Sequence, residues 1–388
     1  MTDTTDTPQA MFARVQALYD AEVAANRTAV TASDVPLSYD AVTDEWLTAA
    51  LCSRDPDARV VSHRFGLVDD GTTNRRRLSV EYNQFGRDSG LVDKIFCKAS
   101  FGVSNRFSLG PVGALEAEVA FYNHVRPHLR LEATEGVFAV VNEAYNSVIM
   151  LKDISDTVTE FCDHTTTMTR ARAESQMRTL AALHGAGASD PKLLAVHDRF
   201  KSWYDFFHGT KGFGLDQGAK AGFDAGQGMI PARTHARAPE VWQATERAVA
   251  RSHERPRTIT HGDVHLKNWY VAGSGEMGLS DWQCTTVGHW GRDLSYTLGT
   301  ALTIDDRRAW ERDLIDLYLE ELGRHGGAVV PFEEAWTIYR EQMLPAMAWW
   351  TVTLNPAPGM PEMQPRPTAV EFVTRLGTAM DDLDSLDA

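Results

Sequence analysis

Three side chains in the last third of the chain are of the types that phosphoryl transfer needs. They are Asp263 and Asn268, in His261-Gly262-Asp263-Val264-His265-Leu266-Lys267-Asn268, and Asp281, in Ser280-Asp281-Trp282-Gln283. One carboxylate can take the proton of an attacking hydroxyl; an amide oxygen and a second carboxylate are hard ligands for magnesium on nucleotide phosphates. Asp263 is accordingly the candidate catalytic base, and Asn268 and Asp281 the candidate metal ligands. The same stretch carries an alternative. His261, Asp263 and His265 alternate as a His-x-Asp-x-His cluster that a metal-dependent hydrolase could use, with zinc or manganese in place of a nucleotide. A polar loop of satisfied side chains would also contain these residues.

Phosphoryl transfer further needs a cation on the phosphates, held by a carboxylate from a neighbouring helix. Lys98 ends an apolar strand in Ile95-Phe96-Cys97-Lys98, and Glu118 sits on the helix that follows, on a face with Leu115 and Tyr122. Lys94 shares the sheet face of Lys98 and Glu116 is two positions from Glu118, so strand and helix register must choose within each pair. Gly71, Thr72 and Thr73 lie in a turn between two strands; backbone N–H groups and hydroxyls there can meet phosphate oxygens, although no Gly-x-Gly-x-x-Gly is present. Met150 and Leu151 fall where one lobe should pass into the next, and their backbone is expected to meet the adenine.

The elements that would position these groups follow from hydrophobic periodicity. Met1 to about Pro8 reads as disordered. Ala10 to Ala25 and Asp44 to Cys52 read as helices. Arg59 to Phe65, Arg75 to Tyr82 and Leu91 to Ala99 read as strands, Val112 to Leu129 as one helix, then Val137 to Asn142 and Ser147 to Leu151 as strands. Beyond Leu151 the chain becomes helical, with Arg170 to Ala186 and Ala238 to Arg251 as helices. Lys211 to Gly228, rich in Gly, Ala and Asp, reads as a loop, and Asn355 to Pro367 as a Pro-rich loop before a last helix. Trp269 to Ala272 and Gly278 to Ser280 are short strands around a Gly-Ser-Gly turn. This organisation gives a helical extension over 1–55, a nucleotide-binding lobe over 56–151 and a helical lobe over 152–388.

Bulk properties exclude several classes. The chain has 388 residues, 43% of them hydrophobic and 23% charged, ordinary for a globular protein with a large core. With 38 basic and 53 acidic side chains the net charge is −15, which disfavours non-specific binding to nucleic acid or to anionic membrane. No uncharged apolar run reaches the length of a membrane span, and no signal pattern opens the chain. Cys52, Cys97, Cys162 and Cys284 are scattered, with no zinc or disulfide framework, so a reducing cytoplasm is the expected location.

Taken together, these segments resemble the aminoglycoside phosphotransferase and choline kinase superfamily, and within it the ecdysteroid-kinase-like branch. The resemblance is carried by Thr43 to Leu47, Gly71 to Arg75, Glu118 to Tyr122, Leu180 to His184, His261 to Asn268 and Asp281 to Asp293. The Asp-x-x-x-x-Asn loop also matches that of protein kinases, with Gly262 in place of their arginine. The resemblance implies an α+β, bilobal, protein-kinase-like fold: a small antiparallel sheet with one helix, then a larger, mainly helical lobe. It implies ATP and Mg2+ as cofactors, a small-molecule alcohol as partner, Lys98 on the phosphates, and His261 and Asp293 bracing the catalytic loop. Trp282-Gln283 and Lys152 depart from the usual residues at their positions without removing a catalytic group. His289, Trp290, Trp336, Tyr339, Trp349 and Trp350 are the aromatic candidates for an acceptor pocket. A nucleotide-binding pseudokinase or adaptor is the alternative that the same residues allow.

Overall fold

The computed structural model describes residues 7–356 and 363–388. The expected disorder at Met1 to Pro8 falls mostly on residues 1–6, and part of the expected Pro-rich loop on 357–362; both stretches lie outside the described residues. The chain divides into two compact units, Met1–Pro127 with Thr134–Asp156, and His128–Ala133 with Thr157–Ala388.

The first unit begins with helices α1 (Pro8–Ala25) and α2 (Asp44–Leu51). Thr43 caps α2 by accepting from the Trp46 N–H, and Asp44 and Glu45 occupy its first turn, where the helix dipole favours negative charge. Six strands follow: β1 (Val60–Phe65), β2 (Asp69–Asp70), β3 (Asn74–Tyr82), β4 (Lys94–Ala99), β5 (Gly136–Val141) and β6 (Ser147–Lys152). Their order is β1-β3-β4-β6-β5, with β2 paired to β3 and every pair antiparallel. In β3, Leu78, Val80 and Tyr82 are buried while Arg77, Ser79 and Glu81 face solvent, the period-two pattern of a sheet covered on one side. The covered face meets Trp46, Leu47, Ile95 and Met150 in one core.

The order of three strands, a helix and two strands is present, with additions. Short helices α3 (Gln84–Asp88) and α4 (Val103–Leu109) interrupt it. The single helix expected from Val112 to Leu129 is shorter and changes pitch. Gly113, at φ 86°, starts α5 (Ala114–Ala120); a wider turn follows over Phe121–Val125 and a tight one over Arg126–His128. Apolar spacing cannot report such changes of winding.

The second unit contains β7 (Val158–Phe161), α6 (Arg170–Ser189), α7 (Pro191–Leu194), α8 (Trp203–Lys211), α9 (Leu215–Ala225), α10 (Ala232–His235) and α11 (Ala238–Glu254). Next come the short strands β8 (Thr258–Thr260), β9 (Trp269–Ala272), β10 (Met277–Leu279) and β11 (Thr286–Gly288). Helices α12 (Gly291–Ala301), α13 (Ile304–Arg324), α14 (Phe332–Leu354) and α15 (Arg366–Asp382) complete it. Among the described residues no helix is long and apolar enough to cross a membrane.

Helix α9 overturns the loop expected from Lys211 to Gly228. Its Gly and Ala residues look like loop composition, but they form the face on which α14 lies, with Leu215, Ala219 and Phe223 buried alongside. A Cβ added at Gly222 would stand 1.8 Å from the Thr351 carbonyl oxygen. Gly222→Ala sets two effects against each other: better helix propensity, about 1 kcal/mol, and a clash with backbone that cannot rotate away. The clash dominates, and a net loss of about 1–3 kcal/mol is expected in denaturant unfolding. Unchanged stability would mean that the two helices are not this close.

Candidate active site

The candidate catalytic loop is hung between two short ladders. Strand β8 pairs with β11, Thr260 opposite Thr286, and delivers His261 at its end. Hairpin β9–β10 pairs Trp269 with Leu279; one step beyond, the Ser280 N–H and hydroxyl both donate to the Asn268 carbonyl, at 2.9 and 3.1 Å. Hairpin register alone therefore puts Asn268 beside Ser280 and next to Asp281. The backbone of Asp281 is left-handed, φ 65° and ψ 71°, a conformation that non-glycine residues adopt at some cost.

Between the ladders the loop turns at Gly262, with φ 81°. A Cβ there would lie 2.3 Å from the Cys284 carbonyl oxygen, so neither the conformation nor the space admits a side chain. This is the physical reason for glycine where protein kinases have arginine. Asp293, in the first turn of α12, holds the turn: its Oδ2 accepts from the His261 N–H at 2.7 Å and its Oδ1 from the Gly262 N–H at 2.9 Å. His184 Nε2 lies 3.2 Å from Asp293 Oδ2, and His184 Nδ1 2.8 Å from the Tyr318 hydroxyl. Asp293, His184 and His261 are fully buried. Burial pushes the Asp293 carboxyl upward, but its partners, His184 foremost, outweigh that and hold its pKa below the ordinary value. This brace is the role that the resemblance implied for His261 and Asp293.

Asp263 sits at the loop's centre. Its Oδ1 accepts from the Tyr296 hydroxyl at 3.1 Å and its Oδ2 from Asn268 Nδ2 at 3.2 Å, with His265 Nε2 at 3.5 Å from the same oxygen. Asn268 Nδ2 also donates to the Asp263 carbonyl at 2.7 Å. The amide nitrogen is thus committed to Asp263, and the amide oxygen is the atom that suits a hard cation. Burial raises the pKa of Asp263, yet His265, His261 and the Tyr296 hydroxyl outweigh it and bring it down to about 2. Asp263 is therefore an ionised hydrogen-bond acceptor throughout the physiological range.

His261 and His265 do not form a metal cluster with Asp263. His261 Nδ1 accepts from the Asp263 N–H at 3.2 Å and its Nε2 donates to the Ser280 carbonyl at 3.0 Å, so both ring nitrogens serve the backbone. Among the described residues no group of three or more His, Cys, Asp or Glu is arranged to hold a metal ion. A carboxylate and an amide that share a magnesium ion with phosphate oxygens need no such group.

In the first unit, register chooses within both pairs that the sequence left open. Lys98 and Glu118 are buried, and Lys98 Nζ donates to Glu118 Oε1 at 2.7 Å. Lys94 stands at the exposed end of β4 and pairs with Asp156 instead. The turn at Gly71–Thr73 is tied down by Asn105 of α4, whose Nδ2 donates to the carbonyls of Gly71 at 3.3 Å and Thr72 at 2.8 Å; Gly71 and Thr72 are exposed and Thr73 is buried. Met150 and Leu151 lie inside β6, which pairs with β4 on one edge and β5 on the other. Their backbone groups are engaged in those ladders.

Most of the aromatic candidates prove to be core. His289, Trp290, Tyr339 and Trp350 are buried; the Tyr339 hydroxyl donates to Glu311 Oε2 at 2.8 Å, and Trp350 packs edge-on against Phe372. Arg312 covers Trp336, its guanidinium 4.3 Å from the ring centroid. Trp349 belongs to a cluster around the buried Arg292, whose guanidinium lies 4.4, 4.6 and 5.4 Å from the ring centroids of Trp203, Tyr296 and Trp349. Sequence reasoning missed Arg292 and Tyr296. The signal was available for Tyr296, which stands three residues after Asp293 on one helix and so on a neighbouring face.

The first unit thus holds a buried lysine–glutamate pair beside its antiparallel sheet, and the mainly helical second unit holds an Asp-x-x-x-x-Asn loop braced by a helical aspartate, an α+β architecture. The chain belongs to the phosphotransferase enzyme family, APH, whose family model matches residues 105–330. No curated protein matches the chain. Similar solved structures include a spectinomycin phosphotransferase in complex with ADP and spectinomycin, at 12% identity over 84% of this chain and 94% of that one, TM-score 0.47. Choline kinase LicA from Streptococcus pneumoniae matches at 12% identity over 86% and 96%, TM-score 0.45. An ethanolamine kinase from Plasmodium vivax matches at 10% identity over 82% and 81%, TM-score 0.45.

Proposed function

We propose that the chain is an ATP- and magnesium-dependent O-phosphotransferase acting on a hydroxyl of a small molecule, of the ecdysteroid-kinase-like branch and working in the cytoplasm. The observation that carries this proposal is the Asp263 carboxylate hydrogen-bonded to Asn268 and one hairpin away from Asp281. Asp263 accepts the proton of the acceptor hydroxyl as the acceptor oxygen bonds to the γ-phosphorus and the bond to the departing ADP oxygen breaks. A carboxylate of such low basicity does this late, which suits a loose phosphoryl-transfer transition state in which alignment matters more than deprotonation. Asn268 and Asp281 would hold magnesium through their side-chain oxygens, and the ion would neutralise charge on the phosphates. Lys98, fixed by Glu118, is the first unit's candidate phosphate contact, and the Gly71–Thr73 turn offers backbone N–H groups and hydroxyls. Since the Met150 and Leu151 backbone is engaged in the sheet, adenine contact falls to the stretch after Lys152.

The aromatic rings favour an uncharged acceptor over a quaternary ammonium. Trp203, Tyr296 and Trp349, rings that could surround such a cation, already hold the guanidinium of Arg292. The test is a screen of sterols, amino alcohols, aminosugars and macrolides for magnesium-dependent ADP release. Turnover with an uncharged alcohol is expected, and Asp281→Ala should weaken magnesium–ATP binding at least about tenfold, the scale on which loss of metal-holding groups acts. No ADP release with any acceptor, or undiminished magnesium–ATP binding by the Asp281 variant, would overturn the proposal.

A further inference from the structure

The base has a neighbour to which the mechanism above gives no task. Tyr296 is 1% exposed, and its hydroxyl donates to Asp263 Oδ1 at 3.1 Å. A buried phenol needs an acceptor, but any backbone carbonyl would serve that need; here it is directed to the carboxylate proposed to meet the acceptor hydroxyl.

The ring has little freedom. Arg292 lies one helical turn earlier on α12, with its guanidinium 4.6 Å from the ring centroid, and its Nη2 donates to the Gly262 carbonyl at 3.3 Å. The His265 ring stands 6.2 Å away, centroid to centroid. Arg292 therefore ties the Tyr296 ring to the same loop turn that carries Asp263. With Tyr296 on one oxygen and Asn268 on the other, the carboxylate cannot rotate about its own axis without breaking a hydrogen bond.

Resting on the phosphotransfer proposal above, we propose that Tyr296 is a positioning residue for the reaction: its hydroxyl fixes the plane of the Asp263 carboxylate, so that the remaining lone pairs point at the acceptor hydroxyl. A donor on the base also lowers its basicity, a disadvantage in most acid–base catalysis. In phosphoryl transfer, where proton transfer is late, alignment gains more than basicity loses.

The test is Tyr296→Phe, which keeps the ring and its packing and removes only the hydroxyl. ADP release is measured with the best acceptor and also with water as acceptor, so that a rate is available whatever the physiological substrate. A fall of about tenfold in kcat is expected, with the KM for ATP, magnesium–ATP affinity and melting temperature close to those of the unaltered protein. A kcat within twofold of the unaltered protein overturns the inference and leaves the phosphotransfer proposal standing. A parallel loss of melting temperature, ATP affinity and kcat also overturns it, because a merely structural role would act on all three. No magnesium-dependent ADP release by the unaltered protein overturns both.

Discussion

Asp263→Ala is expected to lower kcat by about 10³-fold while magnesium–ATP binds with unchanged affinity. On the proposed mechanism the lost group supplies alignment of the acceptor hydroxyl and receipt of its proton, and general-base contributions lie at about 10²–10⁴. An effect well above the lower end of that range is expected here because the carboxylate is fixed on both oxygens, by Tyr296 and by Asn268. Asn268 loses one of the two partners of its amide nitrogen but keeps the bond to the backbone carbonyl of residue 263, so the metal-holding geometry is retained. Steady-state kinetics paired with equilibrium nucleotide binding separates the two effects. Turnover that survives the substitution would remove Asp263 from the chemistry, whatever its position.

Asp293→Ala is expected to be the most damaging substitution for folding at the site, at about 3–5 kcal/mol, the scale for removing one member of a buried charged network. It leaves the N–H groups of His261 and Gly262 and the ring of His184 without their acceptor, all of them buried. Since these two N–H groups define the loop turn, kcat should collapse along with stability. Asp293→Asn keeps one oxygen and should fall between the two. The effect carries a pH signature with a definite sign. The folded-state pKa of Asp293 is depressed, so its charge stabilises the fold above the unfolded-state carboxyl pKa of about 4, and that contribution is lost as pH falls through the folded value. The stability gap between Asp293→Asn and the unaltered protein should therefore be full at neutral pH and narrow in acid. Denaturant melts at a series of pH values would show it, and a gap independent of pH would mean that the Asp293 charge is not what braces the turn.

The candidate groups of the second unit were legible because their placement is local. Asp263 and Asn268 are five residues apart, and a single hairpin register brings Asp281 beside them; spacing along the chain nearly specifies spacing in space. The strands of the first unit were legible for a related reason, since burial of one sheet face writes an alternation such as Leu78, Val80 and Tyr82. Lys98 could not be told from Lys94, nor Glu118 from Glu116, because each pair satisfies the same periodicity. Only the depth of β4 and the start of α5 at Gly113 put Lys98 and Glu118 together and left Lys94 to Asp156. Helix α9 was read as a loop because Gly218 and Gly222 are poor in intrinsic helix propensity. Their value lies in the close approach of Thr351 and Val352, and no local pattern reports that.

By itself, the chain's order of residues determined the candidate groups, the class of reaction and most of the succession of strands and helices, because these depend on residue type and short-range period. Tertiary structure alone decided which lysine meets which carboxylate, that Arg292 fills the aromatic cluster, and that Tyr296 reaches Asp263. Those outcomes depend on distances between segments far apart along the chain, where burial and packing override local preference.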